Sequence, residues 1–190
     1  MTPLDIRDLA AAMGAFYDGP SRPIGHICTD TRNLVPGCLF VALVGDKFDG
    51  HNYIPEALKR GAAFAVSARP FEDKRVLVVK DTRQAFLDLA GFYRRKLGLK
   101  VVAVTGSVGK TTTKEMAACV LGSAFSTLKT PANFNNEVGL SQTILSLDSS
   151  HEVAVLELGV DAPGQMPPLA RCASPDIGIV TGIGVTHLQQ

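Results

Sequence analysis

Residues 101–115 read VVAVTGSVGKTTTKE. A run of β-branched apolar residues without polar alternation reads as a strand buried on both faces, and the residues from Lys110 to Gly122 read as a helix. Between them lies a glycine loop. Backbone N–H groups at the start of a helix favour an anion, and Gly106 and Gly109 let the backbone approach phosphates closely. Lys110 then reaches phosphate oxygens and the Thr111 hydroxyl suits Mg²⁺. Thr105, Gly106, Ser107, Val108, Gly109, Lys110, Thr111 and Thr112 are therefore candidate nucleotide contacts. The alternative is a glycine turn followed by a solvated lysine. The loop departs from the G-x-x-x-x-G-K-[ST] pattern, because Val104 stands six residues before the lysine. With no N-K-x-D motif for guanine, ATP is the expected nucleotide.

Outward from this stretch the alternation repeats. Strands are expected near FSTL (125–128), EVAVLELG (152–159) and DIGIVTGIG (176–184), with helices near NEVGLSQTILSL (136–147) and QMPPLARCA (165–173). Apolar strands alternating with helices indicate a parallel sheet flanked by helices, with ligands at the C-terminal strand ends. Glu157 ends one such strand and is expected to face the loop. A carboxylate desolvated there needs a cation, unless it lies exposed past the sheet edge. Asn135 and Asn136 suit phosphate oxygens or an Asx-turn before the helix.

The first eighty residues read as a separate small α/β unit. HICTDTR (26–32), CLFVALVG (38–45), AFAVS (63–67) and RVLVVKDT (75–82) look like strands, and HNYIPEALKRGA (51–62) has helical spacing. Asp81 or Thr82 caps a helix over RQAFLDLAGFYRRKLG (83–98), which bridges the two parts.

Composition limits the class. The chain has 190 residues, 46% hydrophobic and 19% charged, and a formal net charge of +1, so a packed soluble protein is expected and no basic stripe invites nucleic acid. Cys28, Cys38, Cys119 and Cys172 are too far apart for CxxC zinc pairs and are expected as buried or half-buried thiols. No apolar run is long enough for a membrane span, and MTPLDIRDLAAAMG (1–14) lacks the pattern of a secretory leader. A cytoplasmic protein is expected.

Taken together, TGSVGKTTTKE, NFNNEVGL (133–140), HEVAVLELGV (151–160) and PDIGIVTGIGVTHL (175–188) resemble the ATP-binding central domain of the Mur ligases, the peptidoglycan precursor synthetases. TDTR (29–32) followed by PGCLFVALVGDKFDGH (36–51) resembles their N-terminal domain, which holds a UDP-sugar. The resemblance implies a UDP-sugar-binding domain over residues 1–81, a connecting helix over 82–98 and a partial central ATP-binding domain over 99–190. It implies an ATP-dependent ligase, monomeric at full length, that joins D-alanyl-D-alanine to a UDP-N-acetylmuramoyl-tripeptide through an acyl phosphate. The sister activity, adding a diamino acid to a UDP-dipeptide, and a non-catalytic nucleotide-binding module are the alternatives.

By the same resemblance Lys110, Glu157 and His187 are catalytic. Thr111 and Glu157 hold Mg²⁺, and His187 a second Mg²⁺. Thr31 and Arg32 lie near the uridine nucleotide. Gly45, Asp49, Gly50 and His51 form a loop that meets the same ligand or is an ordinary polar turn. Gln165 stands where the family pattern has a glutamate. The family also implies further sequence beyond Gln190, including a modified lysine and a third domain, so the 190-residue chain is expected to lack ligase activity.

Overall fold

The computed structural model describes residues 1–184. The chain divides into two compact units, Met1–Leu89 and one beginning at Ala90. The first opens with elements beyond those expected. Strand β1 (Leu4–Asp5) leads into helix α1 (Ile6–Ala12), which the Asp5 side chain caps by accepting from the Arg7 amide, and β2 (Pro23–Ile24) pairs antiparallel with β1. Two-residue strands carry no periodicity to read.

Four parallel strands follow. They are β3 (Ile27–Cys28), β4 (Leu39–Val41), β5 (Phe64–Ser67) and β6 (Val76–Val78), in spatial order β3-β4-β5-β6, with helix α2 (Ile54–Lys59) between β4 and β5. Cys28, Cys38, Phe40, Ala42, Ile54, Ala57 and Ala65 close one core. Only Ile27–Cys28 of the expected strand 26–32 pairs as a strand, because the Asp30 side chain accepts from the Arg32 amide and starts a 3₁₀ turn at Thr31–Asn33. A second 3₁₀ turn, Gly50–Tyr53, is started in the same way by Asp49. Both turns follow C-terminal ends of adjacent parallel strands, where such sheets bind ligands.

Helix α3 (Thr82–Lys96) runs through the division between the units and is capped by Asp81, whose carboxylate accepts from the Arg83 and Gln84 amides at 2.7 and 3.1 Å. Tyr93 rather than Phe92 enters the core, and its hydroxyl donates to the Leu147 carbonyl at 2.6 Å. Arg94 is buried and donates to the Ala173 and Ser174 carbonyls and to Asp176.

The second unit contains β7 (Lys100–Thr105), α4 (Lys110–Gly122), β8 (Thr127–Lys129), α5 (Glu137–Leu145), β9 (Val153–Glu157), α6 (Met166–Ala173) and β10 (Ile177–Val180), the expected alternation. All neighbours in the sheet β10-β7-β9-β8 are parallel. Val102, Val104 and Val155 pack against Ala118 of α4, while Val101, Ala103, Ala154 and Leu156 between them are equally buried. A sheet covered on both faces requires such continuous apolar strands. Val104 pairs with Glu157 and Val180 with Thr105, so three strands end level at the loop. No helix among the described residues is long and apolar enough to cross a membrane. Three thiols are buried, but Cys119 of α4 is exposed.

Candidate functional site

The loop after β7 takes its shape from glycine and from the segment beyond β10. At Gly106 φ is +134°, and a Cβ there would collide with the Thr181 hydroxyl and lie 2.9 Å from the Gly182 carbonyl oxygen. Only glycine meets both demands. The Ser107 amide donates to the Gly182 carbonyl at 2.8 Å, and the Thr181 hydroxyl to the Val108 carbonyl at 2.6 Å. The Thr105 hydroxyl donates to the Leu158 carbonyl at 2.9 Å. Gly109 begins α4 with no side chain capping it. The first amides of a 13-residue helix therefore point out of the loop with their dipole, as an anion requires. The Lys110 ammonium folds over the loop and donates to the Gly106 carbonyl at 2.7 Å.

Glu157 is 1% exposed at the end of β9. The Thr111 hydroxyl and the Asn135 side-chain amide donate to its Oε1 at 3.2 and 3.0 Å, and its own amide donates to the buried Thr130 hydroxyl at 2.9 Å. Its Oε2 is buried without a hydrogen-bond partner. The Lys114 ammonium lies 3.5 Å from that oxygen, close enough for an ion pair but not in hydrogen-bonding geometry. A buried carboxylate with one orphaned oxygen, beside a hydroxyl at the mouth of a phosphate-type loop, fits Mg²⁺, which takes few protein ligands and completes its shell with water and substrate phosphates. Among the described residues no group of three or more His, Cys, Asp or Glu side chains could by itself hold a metal ion.

Asn136 accepts from the Gly139 amide at 2.9 Å and caps α5, so its Oδ1 is committed to the helix. The Gln165 side chain accepts from the Asp161 and Ala162 amides and orders the loop before α6. His187 lies outside the described residues. Lys114 and Thr130 were not among the residues expected at the site. Lys114 stands one helical turn beyond Lys110 and three residues beyond Thr111, a spacing that puts all three on one side of α4.

In the first unit, Thr31 is buried in its turn, whereas the Arg32 side chain is 85% exposed and held by Asp30 at 2.6 Å. That pairing holds the Asp30 carboxyl below its usual range. Gly45 and Phe48 close a tight turn, the Gly45 amide donating to the Phe48 carbonyl at 2.9 Å. The Gly50 amide donates to the Leu43 carbonyl at 2.8 Å, and His51 is buried with both ring nitrogens engaged. Its Nδ1 lies 2.6 Å from Asp49 and its Nε2 accepts from the Ala68 amide at 3.0 Å. Asp49 also pairs with Arg69. The His51 ring, the His51 amide and Arg69 together draw the Asp49 carboxyl down to about 2.

Residues 23–94 match the Mur ligase family catalytic domain and residues 104–190 the Mur ligase middle domain. Relatives described as UDP-N-acetylmuramoyl-tripeptide--D-alanyl-D-alanine ligase include those of Synechocystis sp., 45% identical over 87% of this chain and 37% of the relative, and of Escherichia coli, 37% identical over 100% of this chain and 42% of the relative. Among solved structures, MurF from Acinetobacter baumannii superposes with a TM-score of 0.90 at 36% identity, covering 98% of this chain and 42% of that one. The MurF ligase of Thermotoga maritima, solved in complex with ADP, superposes with a TM-score of 0.80 at 35% identity, covering 86% of this chain and 38% of that one. The chain thus spans about two fifths of the length of these relatives.

Proposed function

The chain belongs to the Mur ligase family, and on that premise we propose that it supplies the UDP-sugar-binding and ATP-binding parts of a ligase joining D-alanyl-D-alanine to a UDP-N-acetylmuramoyl-tripeptide. The observation that carries the reading is the loop 105–111, with its uncapped helix start and Lys110, set level with the Glu157 carboxylate and the Thr111 hydroxyl. The relatives' described activity supplies the substrates.

A carboxylate is a poor electrophile, so the reaction phosphorylates the peptide's terminal carboxylate with ATP, and the incoming amine then displaces phosphate. Each residue's task is to position charge for that transfer. The amides of Val108 to Thr111 and the Lys110 ammonium hold the transferring phosphate, while the Ser107 amide stays on the Gly182 carbonyl and fixes the loop. Thr111 and Glu157 hold Mg²⁺, which when bound neutralises charge on the phosphate oxygens. Asn135 aims the Glu157 carboxylate, and the Asn136 side-chain nitrogen donates to phosphate while its oxygen caps α5. Thr31 and Arg32, with the 45–51 turn, form the UDP-sugar end. Arg32 carries the polar contact there because its guanidinium is exposed and suits a diphosphate or a uracil carbonyl. His51 and Asp49 shape the turn from within. Residues 1–81 form the UDP-sugar domain, 82–98 the connection and 99–190 part of the ATP domain of a monomeric enzyme. Its free cysteines suit the reducing cytoplasm.

The test is phosphate release by the full-length enzyme with ATP, Mg²⁺ and each pair of substrates. Release with D-alanyl-D-alanine and the UDP-tripeptide is expected. Release only with a diamino acid and a UDP-dipeptide transfers the chain to the sister ligase, and nucleotide binding with no release under either pair makes it a binding module.

A further inference from the structure

Lys114 has no part in the reading above, yet it is the most unusual side chain near the site. It is 0% exposed. Its ammonium lies 3.5 Å from Glu157 Oε2, 3.2 Å from Glu115 Oε1 and 3.4 Å from the Ala132 carbonyl oxygen. Glu115 is in turn paired with Lys129 of β8. Charges therefore alternate inward from the surface: Lys129, Glu115, Lys114, Glu157. Glu115 and the Ala132 carbonyl thus hold the buried Lys114 nitrogen in addition to Glu157. A buried ion pair is seldom kept for stability alone, because apolar side chains of similar volume do as well. Removing one partner is the costly change.

We propose that Lys114 is a resident countercation, occupying the place of positive charge at Glu157 while the site is empty and restricting the site to a divalent cation that arrives with phosphates. The inference rests on the reading of Thr111 and Glu157 as the metal ligands. A free divalent cation reaching Glu157 finds one carboxylate whose charge is already balanced, one neutral hydroxyl, and a fixed ammonium that repels it across a water-poor gap. Little attraction is left. Nucleotide phosphates change the balance, since their negative charge offsets both the metal and Lys114. The orphaned Oε2 belongs to the same arrangement: the ammonium balances its charge without taking a hydrogen bond, so the oxygen keeps its lone pairs for the metal that arrives with phosphates.

The full-length enzyme, its Lys114→Met and Glu157→Gln variants and the double variant are melted in chelator, then with millimolar Mg²⁺ alone, then with Mg²⁺ and ADP. Lys114→Met in chelator should melt about 8 °C or more below the parent, because the buried carboxylate has lost its cation. Mg²⁺ alone should return at least half of that loss while moving the parent by no more than about 1 °C. In the double variant both the loss and the response to Mg²⁺ should largely disappear. Lys114→Arg should behave as the parent. A Lys114→Met loss that ignores both Mg²⁺ and Glu157→Gln would make Lys114 a packing residue and overturn the proposal. If Lys114→Met does not fold, free Mn²⁺ binding to the parent enzyme, read by EPR, decides: binding tighter than millimolar without nucleotide overturns the proposal, and its absence, with binding once ADP is added, supports it. A parent enzyme that Mg²⁺ and ADP fail to stabilise sinks the nucleotide-site reading instead, a result distinct from any in the Mg²⁺-only arm.

Discussion

On the proposed reading, Lys110 exchanges a backbone partner for a phosphate when the nucleotide binds. Its ammonium donates to the Gly106 carbonyl at 2.7 Å, a contact that a phosphate oxygen can replace without moving the backbone. Lys110→Ala should therefore leave the melting temperature nearly unchanged but weaken ADP binding roughly ten- to hundredfold, the effect of about 1.5–3 kcal/mol for a hydrogen bond to a charged group. Calorimetric titration measures it, and unchanged affinity would remove the loop from the phosphate site. Asp49 makes a prediction about acid. Its carboxyl sits at about 2 in the folded chain, against about 3.9 when unfolded. The stability it contributes is complete above the unfolded value and is lost as pH falls from about 4 toward 2. Asp49→Asn should accordingly show a shallower fall in melting temperature over that window than the parent, and equal slopes would contradict the His51–Asp49 pairing. Asp73, drawn to about 2 by Arg75, keeps part of the fall in both proteins. That Glu157 ends its strand facing the glycine loop, beside Thr111, was legible in the sequence. Residue identity could not make His51 legible, because the second ring nitrogen meets the Ala68 amide 17 residues away. Nor could it show that Lys114 is buried, since a lysine beside a glutamate on a helix reads as a solvated pair.

Among the elements, those of the second unit were the most readable, for a physical reason. Strands buried on both faces must be continuous apolar runs, as Val101–Val104 and Val153–Leu156 are, and such runs stand out. β1 and β2 have two residues each and leave no pattern. α1 does carry a signal, Ile6, Leu9, Ala10 and Met13 at i, i+3, i+4 and i+7, that the expectations above leave unused. Helix starts were legible where a short polar side chain stands before a periodic run. Asp81 before α3 is one, and Asn136 before α5 is another that serves two ends. Its oxygen caps the helix, and its nitrogen is assigned above to phosphate. Asn136→Ala should lose about 1 kcal/mol of stability and several-fold in ADP affinity. Asn136→Ser keeps a cap and should recover the stability, but not the affinity, since a neutral hydrogen bond contributes about 0.5–1.5 kcal/mol. Full ADP affinity in the serine variant would leave Asn136 as a cap alone.

At the scale of the whole chain, each unit has its own parallel sheet and its own core, and the two proposed ligands are assigned to different units. A ligand stabilises what it binds by RT ln(1 + [L]/Kd), about 2.7 kcal/mol at a hundredfold excess over Kd. Amide exchange follows local opening, so the gain should appear where the ligand sits. Mg²⁺ with ADP should slow exchange in β7, the 106–109 loop and the first turn of α4, and leave β3 to β6 nearly unchanged. A UDP-sugar should do the reverse, protecting the turns at 31–33 and 45–53. Arg32→Ala removes a contact remote from the transferring phosphate, so it should abolish the second pattern and raise KM for the UDP-substrate in the full-length enzyme. The ADP pattern and the KM for ATP should not change. The crossed measurement gives the assignment its force, because general destabilisation by the Arg32 change would weaken both patterns together. Protection by the UDP-sugar confined to the second unit, or loss of the ADP pattern in Arg32→Ala, would mean that the ligands are assigned to the wrong units. The TDTR stretch would then be a structural turn, held by Asp30 for the sake of β3 alone.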